Sequence, residues 1–145
     1  MSTQPSEATI SAWVNLVRAS RHVLSAVEAD LKKAGFPPLG WYDVLLELRR
    51  AGTALRPLEI EGRLLIAQHN VSRLIDRLAA AGYVERQPCE DDGRGQIVAL
   101  TEGGRELLRR MWPVYRAAIQ RHVGAKLVDE RASRLSKYLA QLLEP

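Results

Sequence analysis

The chain has 145 residues, 46% of them hydrophobic and 26% charged, with a formal net charge of +4. That size and apolar content suit one domain with its own core and exclude wholesale disorder, no apolar run nears the roughly 18 residues of a membrane span, and a lone cysteine excludes an internal disulfide, as in a reducing compartment. The opening MSTQPSEATIS has no basic or apolar signal-peptide region, so a cytoplasmic location is expected.

Residues 1–8 read as a loose leader. A long helix is predicted over 9–34, where Ile10, Trp13, Val17, Ser20, Leu24, Val27 and Leu31 step by three and four residues. This is a heptad-like seam with one polar break at Ser20. Gly35 and then Phe36-Pro37-Pro38 stop it. A second helix is predicted over 40–50, burying Val44, Leu45 and Leu48, with a turn at 51–53. A short helix opens at Pro57, a favourable first-turn residue, and runs to 65 with Leu58, Leu64 and Leu65 as its core contacts.

The next helix is predicted from Gln68, close enough to form a helix-turn-helix pair. Val71, Leu74, Ile75 and Leu78 make one buried stripe, while His69, Asn70, Arg73 and Arg77 lie on the other side. Gly82 stands where that helix should end. Two strands are predicted at 83–86 and 97–100, around a loop carrying Asp92, Gly93, Arg94 and Gly95. Thr101 is placed to cap a long helix reaching 123, with Pro113 expected to kink it or remove one hydrogen bond, and Gly124 as a break. A last helix over 129–143 repeats the three-four spacing at Val128, Ala132, Leu135, Leu139 and Leu142.

The fold class read from this order is mainly α with a small β-hairpin wing: a winged helix-turn-helix flanked by N- and C-terminal dimerisation helices. Residues 36–100 form the DNA-binding lobe, and 1–35 with 101–145 the helical dimerisation region, in a single intertwined domain. Terminal helices packed on their own domain would show such seams too. Pairing between chains is preferred, because long helices at both ends of a small domain have little core of their own to cover.

The residue types on the exposed side of the 68-onward helix suit duplex DNA. Arg73 and Arg77 can fork onto guanine or phosphate, and Gln68, His69, Asn70 and Ser72 are hydrogen-bonding groups at a helix N-terminus, which itself favours phosphate. Arg94, between two glycines, suits the negative potential of a narrow minor groove. The plainer reading of each is a solvated side chain. Charge is not concentrated there: residues 56–94 hold six arginines against seven acids, whereas 102–145 hold nine basic residues against five acids. Affinity would therefore come from the placement of a few arginines, doubled in a dimer.

Trp13, His22, Trp41, Tyr42, Trp112 and Tyr115 are candidates for an effector pocket, with simple core packing as the alternative for most of them. Cys89 sits beside Asp91 and Asp92, which carry the wrong sign for stabilising a thiolate. The three histidines are scattered, so no metal is expected, and neither a nucleophile motif nor a Gly-rich phosphate loop points to an enzyme or a cofactor.

Two motifs, VSRLIDRLAAAGYVER at 71–86 and DGRGQIVALTEGGREL at 92–107, resemble the MarR family, the multiple-antibiotic-resistance type of bacterial regulator. Asp92, Arg94, Val98, Leu100 and Thr101 match the family's D-x-R-x-x-x-V-x-L-T pattern, and the order of elements agrees along nearly the whole chain. The resemblance implies a homodimer on a pseudo-palindromic double-stranded operator, with the Gln68 helix as recognition helix, Arg94 in the minor groove and Asp92 bracing the wing by pairing with an arginine. It also implies repression relieved by a small aromatic or anionic effector. The family's usual Ser or Thr before the recognition helix is replaced by Ala67, for which Gln68 or Asn70 could substitute as cap. Glu61, at a place expected to be half-buried, and Leu65 stand where the family favours a small residue and glycine. Two rival readings stay open: a dimeric winged-helix scaffold for protein contacts, and a DNA binder switched by oxidation of Cys89 instead of a ligand.

Overall fold

The computed structural model describes residues 3–89 and 95–145. The element order is α1 (Glu7–Lys33), α2 (Leu39–Ala51), α3 (Pro57–Arg63), α4 (Val71–Ala80), β1 (Val84–Pro88), β2 (Gln96–Leu100), α5 (Glu102–Ile119), a π-helical turn (Gln120–Gly124) and α6 (Asp129–Gln141). The chain divides into two compact units, Leu31–Val114 and Met1–Asp30 with Tyr115–Pro145. Among the described residues no helix is long and apolar enough to cross a membrane.

The Leu31–Val114 unit holds the winged helix-turn-helix. Its core is built from Leu31, Val44, Leu45, Leu48, Ile60, Ile75, Leu78, Val98, Leu107, Leu108 and Met111, all almost fully buried. The predicted stripes of α2 and α4 are the buried ones. α2 is closed by Gly52, whose positive φ lets its N–H reach the carbonyls of Leu48 and Arg49. α4 is followed by Gly82, also left-handed, donating to Ala79 O, while Tyr83 N reaches Leu78 O.

The short helix corrects the expectation for its core. Leu58 is 81% exposed and Leu65 77%, Leu64 is half-buried, and Ile60 at 0% takes the interior place. Seven residues turn less than twice, so α3 has one narrow buried face, and Ile60 alone occupies it. Glu61 is exposed, not half-buried. The helix also stops at Arg63 rather than 65, because Leu64 turns extended.

β1 and β2 pair antiparallel, Val84 opposite Leu100 through Pro88 opposite Gln96. The first strand runs two residues further than predicted, since Pro88 at the end of a two-stranded hairpin needs no ladder donor. The far edge of β2 is covered at one point by Leu55, which exchanges both backbone hydrogen bonds with Val98, at 3.0 and 2.7 Å. One bridging residue has no periodicity, so this contact is invisible in the sequence. Thr101 caps α5 as predicted: its Oγ1 accepts from Gly104 N at 3.1 Å and donates to Gly82 O at 2.7 Å, tying the helix start to the end of α4. α5 runs through Pro113 to Ile119, and the last turn of the predicted helix is π-helical.

In the other unit, Ser6 opens α1 two residues early by accepting from Thr9 N at 3.1 Å. Asp30 Oδ2 lies 2.9 Å from His122 Nε2 and accepts from Arg121 Nη1 at 3.2 Å, joining α1 to the π-helical turn. The predicted seams are open only in part: Ile10, Trp13 and Leu24 on α1, Val128 before α6, Leu135 on α6 and Leu142 just beyond it are exposed, whereas Val27 and Leu31 are buried and Val17, Ala132 and Leu139 half-buried, so the C-terminal end of the α1 seam serves the chain's own core.

Candidate nucleic-acid interface

The site is organised on α4. Its first residue is Val71, not Gln68, because Asn70 is the N-cap, its side-chain Oδ1 accepting from Arg73 N at 3.0 Å. Asn70 thus supplies the cap that Ala67 cannot. Gln68 and His69 lie in the turn ahead of the helix. Gln68 is half-buried with its amide folded over α2: a Cβ built on Gly40 would stand 2.6 Å from Gln68 Nε2. Its place is between turn and helix, while His69 is exposed.

Ser72, Arg73, Asp76 and Arg77 make up the exposed side of α4. An acid there would repel phosphate, but Asp76 is already taken. Arg86, reaching from β1, donates from Nη2 to Asp76 Oδ1 at 2.7 Å and to Ser72 O at 3.2 Å, and from Nη1 to Gln96 Oε1 at 3.1 Å. One guanidinium therefore locks the helix to both strands of the hairpin. Its buried Nε has no hydrogen-bond partner among the described residues. Arg73 and Arg77 have no acid within 4.0 Å among the described residues, so both guanidinium groups are available to a ligand.

Asp92 and Arg94 lie outside the described residues. Cys89 is buried just past β1, at the loop end of the hairpin, and Arg56 Nη2 donates to its Sγ at 3.2 Å. That cation, 33 positions away, could not be anticipated from the neighbouring acids. Of the pocket candidates, Trp13, His22 and Tyr115 belong to one unit and Trp41, Tyr42 and Trp112 to the other. Trp41 meets Tyr83 edge-on at 6.1 Å. Tyr42 is packed in the core, where burial pushes its phenol above the ordinary value of 10.0 against the opposing pull of Arg49 and Arg50.

Sequence reasoning also missed Asp43, a buried acid on α2 that accepts from Ile66 N at 2.9 Å. Its one signal was an acid inside the apolar run Trp41-Tyr42-Asp43-Val44-Leu45-Leu46.

The sequence model of the MarR family matches residues 34–95, from the end of α1 into the hairpin loop. The crystal structure of Sco3205, a MarR-family transcriptional regulator from Streptomyces coelicolor solved in complex with DNA, superposes with a TM-score of 0.83 and 25% identity, over 99% of this chain and 91% of that one. In sequence over its middle stretch and in fold over nearly its whole length, the chain is similar to MarR-family regulators. The multiple antibiotic resistance protein MarR of Escherichia coli is 28% identical over 102 residues, 70% of each chain. The regulator PecS of Dickeya dadantii is 36% identical over 72 residues, 48% of this chain and 43% of PecS, so less than half of that relative is spanned. These MarR-family proteins are transcriptional regulators. The matched stretch contains the helix-turn-helix and β1, the elements that carry the Arg73, Arg77 and Arg86 arrangement.

Proposed function

We propose that this chain is a homodimeric, sequence-specific double-stranded DNA-binding regulator. The single observation that carries the reading is the exposed side of α4. Its one acid is paired with Arg86, and among the described residues Arg73 and Arg77 have no acid partner, next to a hairpin locked in place. Helix and hairpin held as one body suit insertion of the helix into a major groove, with the wing over the adjacent minor groove. The DNA held by Sco3205 supports the same ligand class here.

The exposed seams on the terminal helices support pairing of two copies, since apolar surface of that extent rarely stays in water. A dimer would set its two recognition helices about 34 Å apart, one DNA turn. Repression released by a small aromatic or anionic effector completes the reading: a ligand with higher affinity for the wrongly spaced state would lower operator affinity.

The test is selection from a pool of random duplexes by the full chain, with Arg73→Ala and Arg94→Ala alongside and light scattering for the mass. A palindrome enriched by the wild type and lost in either variant supports the reading. A folded dimer that enriches nothing at low salt sinks it and favours a protein-binding scaffold, since a DNA binder loses affinity steeply only as salt rises.

A further inference from the structure

The turn between α3 and α4 decides where the recognition face points, and very little holds it. From Ile66 to His69 no backbone amide donates to a backbone carbonyl, and among the described residues the one hydrogen bond to this stretch is Ile66 N to Asp43 Oδ2, at 2.9 Å. Asp43 is 4% exposed on α2. A buried polar group is retained only where it is hydrogen-bonded, and its loss leaves the partner unsatisfied. One helical turn earlier on the same helix, Gly40 leaves the space into which the Gln68 side chain folds. The two contacts fall on either side of Ala67 and bind the turn to α2, three residues before the Asn70 cap.

We infer that Asp43 is a positioning residue for the recognition helix: as a hydrogen-bond acceptor on α2 it fixes the turn and, through it, the direction in which α4 presents Ser72, Arg73 and Arg77. It touches no ligand itself. The inference rests on the DNA-binding reading for its functional consequence, but the fixing of the turn stands apart from that reading. An acceptor is what the geometry needs, so Asn at this position should serve and an apolar residue should not. Base readout depends on placement within fractions of an ångström, whereas attraction to the phosphate backbone tolerates a loosely aimed helix.

The test compares Asp43→Asn and Asp43→Ala in the full chain. It measures hydrogen exchange of the Ile66 amide, thermal midpoint, and affinity for the selected duplex against random duplex. For Asp43→Ala we expect faster Ile66 exchange, a loss of about tenfold on the selected duplex and little change on random duplex. Asp43→Asn should restore both exchange and selectivity. A general loss of folding would lower both affinities together, so the ratio separates the two causes. If Asp43→Ala does not fold, Asp43→Ser, with a shorter acceptor, replaces it and should fall between Asn and the expected Ala behaviour. The proposal is overturned if Ile66 exchange is unchanged on removal of the acceptor, if selectivity stays within about twofold, or if Asn fails as badly as Ala. Should the wild type select no duplex, the functional reading fails by itself, and Ile66 exchange with rescue by Asn still decides whether Asp43 fixes the turn.

Discussion

Arg86→Gln should separate two jobs done by one side chain. The substitution removes the contact to Asp76 and shortens the reach to Ser72 O and Gln96. Asp76 is well exposed, so the ion pair itself contributes only about 0.3–1 kcal/mol. The two further hydrogen bonds from a charged donor add about 1 kcal/mol between them after the same allowance for solvent. A total near 1–2 kcal/mol lowers the thermal midpoint by about 3–8 °C in a chain of this size. The variant also leaves the Asp76 charge uncovered on the face meant for phosphate. At about 7 Å in water-like surroundings the repulsion is about 0.6 kcal/mol per phosphate, or roughly threefold in affinity per protomer. Adding Asp76→Asn should recover that affinity without recovering stability. Differential scanning fluorimetry and fluorescence anisotropy on a selected duplex read the two quantities. The reasoning is refuted if the double variant regains stability but not affinity, or if Arg86→Gln leaves both unchanged.

Gly104→Ala should destabilise by about 1–3 kcal/mol in chemical denaturation, because the added Cβ would lie 2.3 Å from the Tyr83 carbonyl oxygen and 2.6 Å from Leu100. Ile60→Ala should cost about 2–5 kcal/mol while Leu58→Ala and Leu65→Ala stay within about 0.5 kcal/mol, the reverse of what the leucine pattern of the short helix suggested. Tyr42 should ionise above the ordinary phenol value of 10.0 in an ultraviolet pH titration read against Tyr42→Phe, since burial disfavours its charged form. The sign follows: a group held neutral by the fold contributes stability that is complete below about pH 10 and is lost as pH rises through its folded value, so Tyr42→Phe should blunt alkaline unfolding.

Much of the fold was legible because it is written in local periods. The stripe Val71, Leu74, Ile75 and Leu78, the core of α2, and the punctuation at Gly52, Gly82 and Thr101 all stand where the pattern puts them. The candidate interface was legible as residue types: the arginines on the exposed side of α4 were identified, while the pairing of Asp76 with Arg86 was not. The start of α4 was misplaced by three residues, because only the side-chain bond from Asn70 distinguishes a cap from the polar residues before it.

The sequence by itself determined the order of elements, which faces of α2 and α4 go inside, and which cations face out. These depend on spacing within one helix, and spacing is a property of the chain. Tertiary structure alone decided what joins those elements: Arg86 across ten residues to Asp76, Asp43 across 23 to Ile66, Arg56 across 33 to Cys89 and Leu55 to Val98. Each is a single pair of groups with no repeat to announce it, and its energy exists only once the hydrophobic core has brought the partners together out of water.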